Sequence, residues 1–281
     1  MTGPPEPSDD TPALPPRDPV QRWRLVLARA ALEPDQAQRS QQSAWEAALS
    51  GSGLPVAGLD APRARPRFAA GAPLGASIPG EAELLDLWLT QRLPRWRVRE
   101  ALVAVLPPGH ALVDLTDVWL GEAPLPGRVA ASVYRAVLSE GARTDVVRDA
   151  ADALCAAATL PRERPKGETT VAYDLRPFLV SIEVLGAGPS PDAAPGGEAG
   201  STTVRMTLRH DPEKGIGRPE EVLAALAERA GFPLRVLALV RERLVLADPP
   251  VPPEPPAPRG RRPRPVPDRR GGPGGGPTAA R

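Results

Sequence analysis

Two short segments of this chain carry the same spacing of cationic groups. Pro62-Arg63-Ala64-Arg65-Pro66-Arg67 and Pro161-Arg162-Glu163-Arg164-Pro165-Lys166 both fit Pro-Arg-x-Arg-Pro-basic. A guanidinium fork binds phosphate or carboxylate through two parallel N–H donors, and proline stiffens the backbone that presents it. Arg63, Arg65, Arg67, Arg162, Arg164 and Lys166 are therefore candidate ligand-binding residues. The alternative is a solvated, arginine-rich connection, which is what most surface loops are. Asp174 and Arg176 stand two apart in Tyr173-Asp174-Leu175-Arg176-Pro177. On a strand they share a face, either as a structural ion pair or as a pair turned to a ligand.

Other reactive side chains are sparse. His110 follows Pro-Pro-Gly, and His210 lies in Arg209-His210-Asp211. Neither has a nucleophile pattern or a second ligand at metal spacing beside it, so both read as surface histidines. Cys155 is the single cysteine. It rules out an internal disulfide, a cysteine zinc site and an iron–sulfur cluster held by this chain alone. Trp23, Trp45, Trp88, Trp96 and Trp119 all fall in the first half and read as core or interface residues rather than base-stacking platforms.

The elements that would position these groups follow from punctuation and periodicity. Prolines crowd into residues 1–19 and 249–281, which carry net charges of −3 and +5 and have no hydrophobic period. Both segments are expected to be disordered tails, the second an Arg/Gly/Pro tail able to touch RNA phosphates. Between them the body is nearly neutral at −1, so no whole-surface attraction to nucleic acid follows. No run approaches membrane-spanning length, and the chain is expected to be soluble and cytoplasmic.

Strand alternation marks Gln21–Ala30, with Trp23, Leu25 and Leu27 on one face. Asp35 caps a helix over Gln36–Leu49, and strands are expected at Arg67–Gly71 and Glu83–Leu89. A helix opens at Pro94, and a strand follows over Ala111–Leu120. The order then repeats: strand Ser132–Leu138, helix Thr144–Ala158, strands Thr169–Leu185 and Thr202–Leu208, a helix opening at Arg218-Pro219, and strand Leu234–Leu246. Residues 186–200 read as a mobile loop. Two consecutive βαββαβ units define an α+β fold of two tandem ferredoxin-like modules, over residues 20–127 and 128–248, packed together. The two basic segments then occupy equivalent loops, between first helix and second strand.

Several short stretches, in order, resemble the radical-SAM-linked proteins, a family built on a bacterial domain of unknown function. They are Arg65-Pro66-Arg67-Phe68 with Ala72-Pro73-Leu74-Gly75, then Asp174-Leu175-Arg176-Pro177, then Arg218-Pro219-Glu220-Glu221-Val222-Leu223. The likeness runs over roughly residues 21–246 and adds Arg218 to the candidate ligand-binding residues. Two departures stand out. Asp35-Gln36-Ala37-Gln38-Arg39-Ser40 replaces a Ser-His-Leu-Asp-like helix start. Ala57-Gly58-Leu59-Asp60-Ala61-Pro62 replaces a Ser-x-Gly-Phe-Asn-Pro approach.

The resemblance implies a separate radical SAM enzyme as partner, supplying the iron–sulfur cluster and S-adenosylmethionine, neither bound by this chain. The leading expectation is a non-catalytic accessory or substrate-binding subunit whose substrate is open, RNA included. An independent RNA-binding protein is the runner-up. An enzyme working through Asp174, Arg176 and the loop arginines ranks last, for want of a general base with a partner.

Overall fold

A computed structural model describes residues 17–32, 38–60, 64–139, 142–166, 169–189 and 200–248. The expected tails, apart from residues 17–19, the Asp35 cap, and residues 190–199 of the expected mobile loop lie outside that range. In chain order the elements are β1 (Gln21–Arg29), α1 (Gln38–Gly51), β2 (Phe68–Ala70), β3 (Gly80–Leu89), α2 (Arg95–Val103), β4 (His110–Val118) and β5 (Val129–Leu138). They continue with α3 (Thr144–Ala156), β6 (Pro161–Lys166), β7 (Thr169–Asp174), β8 (Leu179–Pro189), β9 (Gly200–Asp211), β10 (Gly215–Ile216), α4 (Pro219–Ala230) and β11 (Val236–Leu246).

The fold is mixed α+β, built on one largely antiparallel sheet. Its path runs β10-β9-β5-β11-β3-β1-β4, with β2 paired to β3 and β8 to β9. The parallel step is between β11 and β3, through Arg241 and Gly80. Two apolar clusters lie against this sheet. One joins Trp23, Leu25 and Leu27 of β1 and Leu85, Leu87 and Leu89 of β3 to Trp45 and Leu49 of α1 and Val98 and Leu102 of α2. The other joins Tyr134, Ala136 and Leu138 of β5 and Val204, Met206 and Leu208 of β9 to the inner faces of α3 and α4. Ile78, from the connection before β3, belongs to this second cluster, and Leu74 packs against it.

Local signals explain the element ends. On α3, Val147, Ala150, Ala151 and Leu154 are the buried residues, at helical spacing. Helix α4 has proline at its first turn, Glu220 and Glu221 near its positive end, and Arg229 in its last turn. Gly231 closes it at φ 80°, the left-handed conformation that costs glycine nothing.

Two expectations need correction. The segment 161–166 is not a loop: it is β6, paired antiparallel with β7 from Pro161↔Asp174 to Lys166↔Thr169. A two-stranded ribbon leaves one side of each strand without a ladder, so prolines fit there that a central strand would reject. The single strand expected over Thr169–Leu185 is broken by a 3-10 turn at Arg176–Phe178, where Pro177 removes the donor a ladder needs.

Candidate ligand cavity

The sheet carries a hollow at the end where β1 and β2 finish and β3 begins. Leu27, Trp45, Phe68, Leu74 and Leu85 form apolar walls around a cavity of about 290 Å³. Its polar lining is Arg29, Gln41, Gln42, Glu83 and His110. Strand alternation sets this arrangement: Leu27 and Arg29 share a face of β1, as Glu83 and Leu85 do on β3.

One wall is the segment Ala72–Ile78, held from behind by two arginines. Arg29 donates from Nη2 to the carbonyls of Gly75 (2.6 Å) and Ile78 (2.5 Å). Arg241 reaches across from β11 and is 0% exposed. Its Nη1 donates to Pro73 O (2.8 Å), its Nη2 to Ala72 O (3.0 Å), and its Nε to Glu83 Oε1 (2.8 Å). Its backbone N–H also donates to Pro79 O at 2.9 Å. Arg29 and Glu83 are the charged groups that line the cavity, and Arg241 stands behind its wall.

His110 contributes no further charge at neutral pH. Burial holds its pKa below the usual histidine value, the Pro108 carbonyl opposes this, and Arg29 adds to the depression. Its Nδ1 lies 3.2 Å from Pro108 O, so Nδ1–H donates and Nε2 is left as an acceptor. The ring meets Trp45 edge to face at 5.3 Å. Surface exposure, the expectation for both histidines, is corrected by this half-burial. His210 is likewise half-buried, with Nε2 2.8 Å from Ser132 Oγ.

The residues singled out by spacing sit elsewhere. Arg63 lies outside the described residues, as do the side chains of Arg164 and Lys166 on β6. Arg65 and Arg67 are exposed on an extended stretch that runs into β2. Arg65 N–H donates to Gly58 O at 3.1 Å. Gly58 has φ +89°, and a Cβ on it would come within 2.3 Å of the Arg65 carbonyl oxygen, so only glycine permits this approach. Arg67 lies 4.9 Å from the Trp88 ring centroid and Arg22 4.7 Å from it.

Arg162 pairs with Glu228 of α4 at 2.6 Å. Arg218 is exposed beside the first turn of α4, with no side-chain cap bond. Asp174 and Arg176 serve the backbone rather than each other's side chain. Asp174 Oδ1 accepts the amides of Leu160 (2.7 Å) and Arg176 (2.9 Å). Arg176 donates to the carbonyls of Cys155 (2.7 Å) and Ala157 (2.9 Å), which caps the C-terminus of α3, and to that of Leu179 (2.6 Å) at the start of β8.

None of these residues lines the cavity. Its polar residues, Arg29, Glu83 and His110, escape sequence reasoning because they come from three distant strands and form no spacing pattern. The usable signal was the Ala72-Pro73-Leu74-Gly75 stretch, whose first three residues are cavity wall. Among the described residues no group of three His, Cys, Asp or Glu side chains could hold a metal ion. Nor is any helix there long and apolar enough to cross a membrane.

Sheet, helices and cavity define an α+β protein with a ligand-sized hollow at one end of its sheet. Residues 39–217 match the family described as "Uncharacterized protein conserved in bacteria (DUF2344)", and the chain belongs to that family. No curated protein matches it. Among solved structures it is similar to a chain of a Cbf5-Nop10-Gar1 complex, at 9% identity and a TM-score of 0.42. That likeness covers 78% of this chain and 49% of the other, so the chain spans about half the length of that relative.

Proposed function

We propose that this chain is a non-catalytic, substrate-binding partner of a separate radical SAM enzyme, acting in the cytoplasm. The observation that carries the reading is the cavity itself. It joins apolar walls to a polar end formed by Arg29, Glu83 and His110, and it is lined by the Ala72-Pro73-Leu74 stretch through which the sequence resembles the radical-SAM-linked proteins. A pocket of this kind takes a small apolar group with a polar end. The cluster and S-adenosylmethionine then belong to the partner, since one cysteine cannot ligate a cluster.

The scaffold in this reading is a tandem of two ferredoxin-like units that arose by duplication. Support comes from strand order: β4-β1-β3-β2 in the first part and β11-β5-β9-β8 in the second, with helices after the first and third strands of each.

Pull-down with the tagged chain, followed by co-expression with any radical SAM enzyme it recovers, tests the proposal. A stable complex is expected, and Ala70→Trp, which narrows the cavity, should leave the complex intact and lower the partner's turnover at least tenfold. Failure to recover any complex overturns it. So does salt-sensitive RNA binding by the chain alone that collapses in Arg65→Ala plus Arg164→Ala, which would instead make it an independent RNA-binding protein.

A further inference from the structure

Helix α2 turns an unusual face to solvent. Its core side is Val98 and Leu102. Directly opposite lies Trp96, 66% exposed, with Arg99 and Val103 following at helical spacing along the same side. An indole that exposed has gained nothing from burial, and it stands among four exposed arginines: Arg92, Arg95, Arg97 and Arg99. Arg95 pairs with Asp114. Arg92, Arg97 and Arg99 have no carboxylate of a described residue within ion-pair distance. Glu100 is the one acid between Asp86 and Asp114. Helix and preceding turn thus present three guanidinium groups outside any ion pair, Arg92, Arg97 and Arg99, against the one carboxylate of Glu100, on a stretch that also exposes the indole.

Beside this face runs a polar groove of about 460 Å³, between the end of α1 and α2. It is lined by Ser52, Gly53, Leu54, Gln91, Arg97 and Glu100, among others. It is formed separately from the ligand cavity, with which it shares no lining residue.

We propose that the α2 face and this groove bind single-stranded nucleic acid. An unpaired base stacks on Trp96, and Arg92, Arg97 and Arg99 contact the flanking phosphates. Stacking on an exposed ring needs a base outside a duplex, and cations free of carboxylate partners can displace the counterions of a phosphate backbone. An acidic protein would satisfy the arginines but would leave the indole without a matching partner. The inference is independent of the cavity and of Arg65 and Arg164, so either proposal can fail alone.

Fluorescence anisotropy of the full chain with labelled 12-mer oligouridylate and oligodeoxythymidylate tests it. Trp96→Ala should weaken binding about tenfold, the range of one lost stacked base. Arg97→Glu plus Arg99→Glu should weaken it further and flatten the salt dependence by a slope of about 1.4, two phosphate contacts on a single strand. Arg148→Glu plus Arg229→Glu, an equal change of charge on exposed residues of α3 and α4, should change binding less than twofold. Comparing equal-charge variants in the full chain removes the common contribution of the arginine-rich C-terminus. The two oligonucleotides show whether RNA, DNA or both are held. Equal affinities across all three variants overturn the proposal. Competition by polyglutamate as effective as unlabelled oligonucleotide also overturns it, and makes the face a docking surface for an acidic protein.

Discussion

His210 is where the chemistry of a single residue becomes measurable in this molecule. Its ring lies against the fully buried Ser132 hydroxyl, and its pKa is lowered to about 4, first by burial and then by the neighbouring Arg241 charge. Neutral histidine is thus the form the fold accepts. Below the unfolded value of 6.5 the unfolded chain takes up a proton that the native state refuses, so stability falls as pH drops from about 6.5 to about 4 and loses nothing more to this group below that. Half-exposure to water reduces the effect from its full value, leaving on the order of 1–2 kcal/mol. Urea unfolding between pH 4 and 7 should show this slope in the wild type, and His210→Gln should remove that increment. Identical profiles would place the ring in solvent. Nothing around Arg209-His210-Asp211 announces this, because the groups that act on the ring, the Ser132 hydroxyl and the Arg241 charge, lie on β5 and β11, far along the chain. The same holds for Arg29, Glu83 and His110: side-chain type was legible, but neighbourhood was not, since it is set by strand pairing.

At the scale of elements, the strands and helices were largely legible because each has its own punctuation. The alternation of β1, the apolar stripe of α3 and the Pro-Glu-Glu start of α4 all act locally, and the structure places those elements within a few residues of where the pattern does. The β6–β7 ribbon was not legible. Its prolines read as loop signals, and only a strand with a free side can absorb them. Asp174 and Arg176 were legible as a unit but not in their task, which is to join the end of α3 to the turn before β8. A charged donor on a carbonyl contributes roughly 1.5–3 kcal/mol, and Arg176 makes three such bonds, two of them at a helix end whose dipole also favours a cation. Arg176→Ala should therefore lower the unfolding free energy by about 2–4 kcal/mol. Arg176→Lys should recover only part of this, because an ammonium lacks the planar fork that reaches three carbonyls. Oligonucleotide binding at α2 should be unaffected. If Arg176→Ala is as stable as the wild type, the capping role is wrong.

The two parts of the sheet meet where β11 passes β3. The parallel step between β11 and β3 is a single residue pair, yet the two parts share more than that bridge. Leu74 and Ile78 leave the first part to pack in the second core, and a Cβ on Gly71 would meet the Leu244 side chain at 2.7 Å. Arg241 sits at this junction with its charge fully withdrawn from water, matched by Glu83 and by the carbonyls of Ala72 and Pro73. Removing one member of a buried pair strands the other, at a cost of about 3–5 kcal/mol. Arg241→Met should thus both destabilise the fold and loosen the coupling between its parts. All five tryptophans lie between Trp23 and Trp119, so their fluorescence follows the first part alone, whereas far-ultraviolet circular dichroism follows the whole chain. In the wild type the two urea curves should superimpose, the mark of one cooperative transition. In Arg241→Met they should separate, with the fluorescence curve moving to lower urea, because the Ala72–Ile78 wall then loses its side-chain bonds to β11 and keeps those to Arg29 and to the Leu32 amide. Curves that stay superimposed and unshifted would mean that the shared apolar contacts hold the two parts together, and that the arginine serves only to keep the cavity wall in place.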